Sequence, residues 1–276
     1  MPFIVGCGRS GNTLLRLMLD SSPDMAIPPE TEVVVAAAQA GGDAGTFHAT
    51  VTEHWRFTDM HVDRNLFRQR VESLRPFSVA QGLRELYRCY AEKFGKTRYG
   101  DKTPYYSSHL PLIASLFPEA RAIHIIRDGR AVAASMLPLW FGPNDAAEMG
   151  RYWSDVIRTI RATAAMPVLE VRYESLLRQP EVELRTIFEF CELEWSDSVL
   201  SYHERAFGRI REVTMDAQTT NGVVHAPVHR RHEIHRRVAC PPDLSRIDSW
   251  REELSPADLA AFMRHAGPMM SELGYG

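Results

Sequence analysis

The sequence predicts an α/β fold: a P-loop-type parallel sheet flanked by helices on both faces, in a single domain with a mostly helical C-terminal part. Three observations carry that prediction. An apolar run, Phe3-Ile4-Val5, stops at glycines and hands over to apolar residues at helical spacing, Leu14, Leu15, Met18 and Leu19. A second run, Ala122-Ile123-His124-Ile125-Ile126, is nearly all apolar and flanked by charges, as a parallel strand buried on both faces would be. Strand-like and helix-like segments then alternate along the chain, as crossover connections require.

Each element can be justified in turn. The first strand and helix are followed by Pro23, Pro28 and Pro29, which break the chain before Glu30-Thr31-Glu32 opens an apolar stretch over 33–40. Residues 41–62, rich in glycine and threonine, read as a loop or irregular lid. Segments 63–75 and 79–94 have helical character. Residues 98–102 look like a short strand ending in the turn Asp101-Lys102-Thr103-Pro104. Residues 108–117 form a helix, 122–126 a strand, 129–137 a helix, 145–165 a long helix and 168–171 another strand. In the helix over 181–191, Leu184, Ile187, Phe188 and Cys191 lie on one stripe. Ser255-Pro256-Ala257-Asp258 opens the last helix with a capping-box-like start and proline in the first turn.

Composition sets the outer bounds. The chain has 276 residues, 45% hydrophobic and 24% charged, with a net charge of −3, so no broadly basic nucleic-acid surface is indicated. No apolar run is long enough to span a membrane. A core strand starting at residue 3 leaves no room for a signal peptide, and four scattered cysteines without a C-x-x-C pair suit reduced thiols, so a cytoplasmic location is expected. Three of the 32 basic residues are lysines (Lys93, Lys96 and Lys102), which draws attention to where each one stands.

Two anion sites follow from the spacing. In Gly6-Cys7-Gly8-Arg9-Ser10-Gly11-Asn12-Thr13, glycines let backbone N–H groups converge at a helix start, where the dipole favours negative charge. Arg9 adds a cation, and Ser10 and Thr13 add hydroxyls. The lysine of a nucleoside-triphosphatase loop is missing, since Asn12 follows Gly11. The second site is Arg127, at the carboxyl end of the 122–126 strand, with Ser135 two helical turns further on. A plain surface pair of Arg127 with Asp128 is the competing reading. Together the two sites suit a nucleotide phosphorylated at both ends.

These motifs resemble those of sulfotransferases that use 3′-phosphoadenosine-5′-phosphosulfate (PAPS), in particular the tyrosylprotein-sulfotransferase-like branch and its bacterial relatives. The 5′-phosphosulfate loop is similar to Arg9-Ser10-Gly11-Asn12-Thr13-Leu14, continuing to Leu19-Asp20 and Pro23. The catalytic E-T resembles Glu30-Thr31, and the lysine turn resembles Asp101 to Pro104. The 3′-phosphate motif is similar to Ile126 to Ser135. Further matches are Arg172 to Leu176, Trp195 to Asp197, and Ala266 to Tyr275, so the resemblance covers residues 3 to 275.

The resemblance implies PAPS as cofactor, 3′,5′-ADP as product, no metal, and a small-molecule or peptide acceptor with a hydroxyl or amine. It implies catalytic roles for Glu30 (general base), Lys102 and Arg9. Cofactor binding would fall to Gly8, Arg9, Ser10, Gly11, Asn12, Thr13, Arg127, Ser135, Tyr173 and one of Arg236 or Arg237. It divides the domain into a PAPS-binding core over residues 1–30 and 97–192, acceptor-lining segments over 31–96 and 138–150, and a cofactor-covering segment over 205–242. Helix capping remains the competing role for Glu30. If Glu30 is not the base, His54, His61 and His109 are the next candidates. Glu32 stands where the tyrosylprotein enzymes carry an arginine that reads acidic peptides. The histidines at 225, 229, 232 and 235 sit among arginines without metal-ligand spacing, and a solvated loop is their simpler reading. The rival functions are a P-loop small-molecule kinase and a non-catalytic nucleotide-binding protein. No oligomeric state is implied.

Overall fold

The structure is a computed structural model and describes residues 1–218 and 224–276, with the side chains of 218, 224 and 225 outside the description. The chain opens with β1 (Pro2–Val5), α1 (Asn12–Asp20), β2 (Met25–Ala26), α2 (Val33–Ala40), α3 (Ala44–Glu53), α4 (Arg64–Ser73) and α5 (Val79–Glu92). It continues through β3 (Arg98–Tyr99), β4 (Asp101–Lys102), α6 (Leu110–Leu116), β5 (Arg121–Ile126), α7 (Gly129–Met136), α8 (Ala146–Thr163) and β6 (Val168–Arg172). Then come α9 (Tyr173–Arg178), α10 (Pro180–Phe190), α11 (His203–Ile210), the hairpin of β7 (Ala217–Gln218) and β8 (Val224–Ala226), α12 (Val228–Glu233), α13 (Trp250–Glu253) and α14 (Pro256–Glu272).

The central sheet is fully parallel, with strand order β4-β1-β5-β6. Alternation along β1 explains why helices cover both faces. Phe3 and Val5 enter one core with residues of α2, α3 and α5, and Ile4 enters a second with residues of α1, α9 and α10. β1 and most of β5 are buried on both sides, which is why they read as continuous apolar runs, whereas the edge strand β6 has Val171 alone fully buried. His124 is the fully buried polar residue of β5, and it bonds Glu170 of β6 at 3.3 Å.

The expected helix starts are present where capping chemistry supplies them. The Ser255 hydroxyl accepts from the Asp258 N–H at 3.1 Å, and Asp145 accepts from the Glu148 N–H at 2.7 Å to open α8.

Two expectations need correction. Residues 41–62 are not an irregular lid: they hold α3 and a 3₁₀ turn over Trp55–Met60. Asp43 caps α3 through the Thr46 N–H at 2.8 Å, and burial of Phe47 and Val51 outweighs the weak helix propensity of its threonines. Residues 98–102 are not one strand. Gly100 divides them because a Cβ there would sit 2.8 Å from the Pro2 carbonyl oxygen, so β3 pairs with β2 and β4 with β1.

Candidate functional site

The four sheet strands bring their carboxyl ends to one edge, where open parallel sheets bind ligands. β1 delivers the Gly6–Gly11 turn, β4 ends at Lys102, β5 runs into Arg127 and β6 into Tyr173. A cavity of about 820 Å³ opens there.

The β1 turn depends on backbone conformations that glycine tolerates. Gly11 has φ 102°, and a Cβ on it would lie 2.4 Å from the Tyr173 ring. Arg9 is also left-handed, with φ 66°. Asn12 does not offer its side chain to the cavity as a ligand; it donates to the Cys7 carbonyl at 2.8 Å and closes the turn. α1 has no side-chain cap, so its first N–H groups lack intrahelical partners at a cavity lined by Gly11, Asn12 and Thr13. Gly8 and Arg9 line it too, while the Ser10 hydroxyl is buried behind the turn with no hydrogen-bond partner among the described residues.

Arg127 does not pair with Asp128, which is held by Arg130 at 2.8 Å. Instead it donates to the carbonyls of Arg9 at 3.1 Å and Arg246 at 2.8 Å, and its guanidinium stacks 4.5 Å from the Tyr173 ring centre. Its buried Nε has no hydrogen-bond partner among the described residues. Arg9 Nε donates to the Ser135 hydroxyl at 3.0 Å, and its terminal nitrogen donates to the Ile234 carbonyl at 3.1 Å. Burial, then repulsion from Arg127, bring Arg9 down to about 10. Among the described residues both guanidiniums contact neutral oxygens only.

Glu30 does not cap α2. That helix follows Glu32, a left-handed residue with φ 55° and no side-chain cap bond, and the Tyr106 hydroxyl accepts from the Val34 N–H at 3.0 Å. Glu30 instead accepts from Lys102 Nζ at 2.7 Å and lies 3.4 Å from Arg56, which also pairs with Glu32 at 2.6 Å. Burial alone would raise the Glu30 carboxyl, but Lys102 and Arg56 outweigh it and hold the group well below the usual carboxylate range. For Lys102, burial wins and lowers the ammonium.

A buried network fixes this pair. The Thr31 N–H donates to the Thr103 hydroxyl at 3.1 Å, and the Thr31 hydroxyl donates to Asp101 at 2.8 Å. The Tyr87 hydroxyl donates to the same carboxylate oxygen at 2.7 Å. The 30–33 and 101–104 turns are thereby locked side by side.

Within residues 31–96 the cavity lining consists of Glu32, Trp55 and Arg56; from 138–150 it takes Trp140 to Asn144 and Glu148. Tyr173 and Ser135 line it, as does Arg237, whereas Arg236 is exposed and outside the lining. Arg209, in the 205–242 segment, pairs with Asp20 of α1 at 2.7 Å. His54, His61 and His109 are not at the cavity. The histidine that lines it is His235, lowered to about 3 by burial, then by Lys102 and Arg9. The His232 ring bonds the Val213 carbonyl at 2.7 Å, and the side chain of His225 lies outside the described residues. Among the described residues no cluster of His, Cys, Asp and Glu could hold a metal ion. Arg56, His235 and Arg246 were not singled out as site residues from sequence, because only tertiary packing brings them to the strand ends.

Comparison with known proteins identifies this arrangement. The sulfotransferase family matches residues 3–197. The chain belongs to the sulfotransferase family. It is 28% identical over 99% of its length to protein-tyrosine sulfotransferase 1 of Danio rerio, covering 71% of that protein. It is 27% identical to protein-tyrosine sulfotransferase A of Caenorhabditis elegans, again over 99% of this chain, and covers 66% of that relative. The fold is shared with the sulfotransferase domain of the Synechococcus PCC 7002 olefin synthase, at a TM-score of 0.62 and 24% identity over 98% of this chain and 94% of that one. The sulfotransferase domain from the curacin biosynthetic pathway gives 0.59 and 17%, over 100% and 98%. The parallel sheet flanked by helices is thus the sulfotransferase fold, and the chain is a sulfotransferase.

Proposed function

We propose that the chain transfers a sulfuryl group from PAPS to a hydroxyl of an acceptor, with Glu30 as general base. One observation carries this reading: Lys102 and Glu30 stand in contact at a cavity that is also lined by Arg9 and Arg127, two guanidiniums without carboxylate partners among the described residues. The fit to the donor rests on Arg9 and Arg127 bonding only to neutral oxygens, on the orphaned Arg127 Nε, and on the unpartnered N–H groups of α1.

In this reading the β1 turn and Arg9 hold the 5′ end, Arg127 and Ser135 hold the 3′-phosphate, and Tyr173 lies beside the base. Arg237 is the better candidate for a further phosphate contact, because it lines the cavity and Arg236 does not. Bound there, PAPS supplies the sulfuryl group. Glu30 takes the acceptor's hydroxyl proton, and Lys102 offsets charge that develops on oxygen during transfer. Loose group transfer of this kind asks a protein chiefly for positioning and charge neutralisation.

Thermal shift tests the donor. PAPS and 3′,5′-ADP raise the melting temperature well above the effect of ATP or 5′-AMP, by mass action on the folded state. Equal shifts with 5′-AMP and 3′,5′-ADP overturn the assignment of a 3′-phosphate site.

A further inference from the structure

Residues 172–176 and 266–275 meet behind the turn that carries Arg127. Helix α14 ends at Glu272, and Gly274, with φ 74°, reverses the chain so that the Tyr275 N–H donates to the Met270 carbonyl at 2.9 Å. The reversed segment docks on Arg172. That side chain donates to the Leu273 carbonyl at 2.9 Å, and its guanidinium lies 4.9 Å from the Tyr275 ring centre. Docked in this way, the Tyr275 hydroxyl donates to one carboxylate oxygen of Glu174 at 2.9 Å. Burial and the Glu174 charge raise the phenol, so it stays a hydroxyl and a donor.

The other Glu174 oxygen accepts the buried Asp128 N–H at 2.8 Å. Glu174 is itself buried, and both donors are neutral, so its charge depends on the two of them for solvation. The Trp153 indole donates to the Arg127 carbonyl at 3.3 Å. That carbonyl and the Asp128 N–H belong to one planar peptide unit. The plane is therefore held at both ends, by α8 on its oxygen and by Glu174 on its nitrogen. On the far side of the turn, a Cβ on Gly129 would lie 2.6 Å from the Phe262 ring of α14. Arg127 stands on this fixed plane, with its guanidinium at the cavity.

We propose that Glu174 and Tyr275 are positioning residues for Arg127: they lock the Arg127–Asp128 peptide plane, so that phosphate affinity at Arg127 is set in part from residue 275. This rests on the donor reading above, in which Arg127 meets the 3′-phosphate. A peptide plane free to rotate would shift the backbone from which the guanidinium is presented. Charge-assisted bonds to phosphate are strong only while the fork is aligned, and they weaken steeply as the angle departs from linear. Removing the Tyr275 hydroxyl leaves Glu174 with one donor and loosens its hold on the Asp128 N–H. Tyr275 touches neither the cavity lining nor Arg127, so its effect reaches the nucleotide only through Glu174.

The test uses the full chain, 3′,5′-ADP and 5′-AMP. Tyr275→Phe removes one hydroxyl and leaves the ring on Arg172. By calorimetric titration it binds 3′,5′-ADP roughly 3- to 10-fold more weakly than the parent protein, with 5′-AMP affinity unchanged. Glu174→Gln keeps an acceptor for the Asp128 N–H and retains the parent preference, whereas Glu174→Ala loses it. Hydrogen exchange of the amides over residues 126–130 quickens in Tyr275→Phe, while exchange over α5 stays at the parent rate; a general loss of stability would quicken both. Where the parent protein prefers 3′,5′-ADP, an undiminished preference in Tyr275→Phe, or an equal loss of affinity for both nucleotides, overturns the proposal. Unchanged exchange over 126–130 overturns it as well. If the parent protein binds the two nucleotides equally while exchange over 126–130 alone quickens in Tyr275→Phe, the lock stands and the donor reading falls.

Discussion

Lys102 Nζ lies 2.7 Å from Glu30 Oε1, a contact made across 72 residues of chain. The two groups proposed to move charge during transfer therefore neutralise each other in the resting protein. Paired in this way, Glu30 is a weak base, since Lys102 and Arg56 hold its carboxyl well below the usual range despite burial. An anion that draws Lys102 away would free Glu30 to accept a proton. Donor binding should then precede productive acceptor binding, and initial-rate kinetics should show an ordered pattern with the donor first. A pattern with random order removes the lock from the mechanism.

Replacing the cation separates binding from transfer. Lys102→Ala should lower turnover by ~100-fold or more while the 3′,5′-ADP thermal shift remains, because Lys102 meets charge that grows during reaction. Turnover like that of the parent protein would return Lys102 to a structural role.

Glu30→Gln keeps the shape of the side chain but cannot accept a proton at neutral pH. Turnover should fall by at least ~100-fold. Stability should also fall by roughly 1–3 kcal/mol, because Lys102, with 4% of its side chain exposed, loses its carboxylate partner. A purely structural role in the ion pair with Lys102 would predict the same loss of stability with full activity. A destabilised but fully active variant would remove Glu30 from the chemistry.

β1 and β5 were legible in the sequence because a strand buried on both faces must be largely apolar, β6 from its short Val168–Val171 run although Val171 alone is buried, and the β1 turn because glycine is demanded by φ at Gly11. Lys102 stood out through scarcity. Helix α3 was hidden because its stability comes from burying Phe47 and Val51, a tertiary effect that overrides threonine and glycine propensities. Arg56 was invisible for a related reason: nothing local to Trp55-Arg56 signals that its guanidinium reaches two carboxylates near residue 30. His235 belonged to a segment that composition describes only as basic.

Arg127 is predicted to discriminate among nucleotides. Arg127→Ala should abolish most of the difference in thermal shift between 3′,5′-ADP and 5′-AMP, leaving the 5′-AMP response nearly unchanged. The variant should cost little folding energy through charge, since its guanidinium bonds carbonyls and an aromatic face and no carboxylate. Persistence of the full 3′,5′-ADP preference would move the phosphate contact to another arginine, with Arg237 the first to test.

The pH dependence of stability isolates His235. Burial, then Lys102 and Arg9, lower its imidazole from the ordinary 6.5 to about 3, so the folded protein holds it neutral. Between those values the unfolded chain binds the proton that the folded chain refuses. Stability from this residue is therefore complete above 6.5 and is lost as pH falls toward 3. Glu30 acts in the same direction but begins only below its ordinary 4.5, which leaves the window above that value to histidine. His54 and His124 are also lowered by burial, and they remain in any His235 variant. Comparing His235→Gln with the parent protein therefore cancels their contribution. The parent protein should lose roughly 1–2 kcal/mol more than the variant between about pH 7 and about pH 5, measured by denaturant unfolding at each pH. Equal losses would mean that His235 is solvated in solution and does not share the charge cluster of Glu30, Lys102 and Arg9.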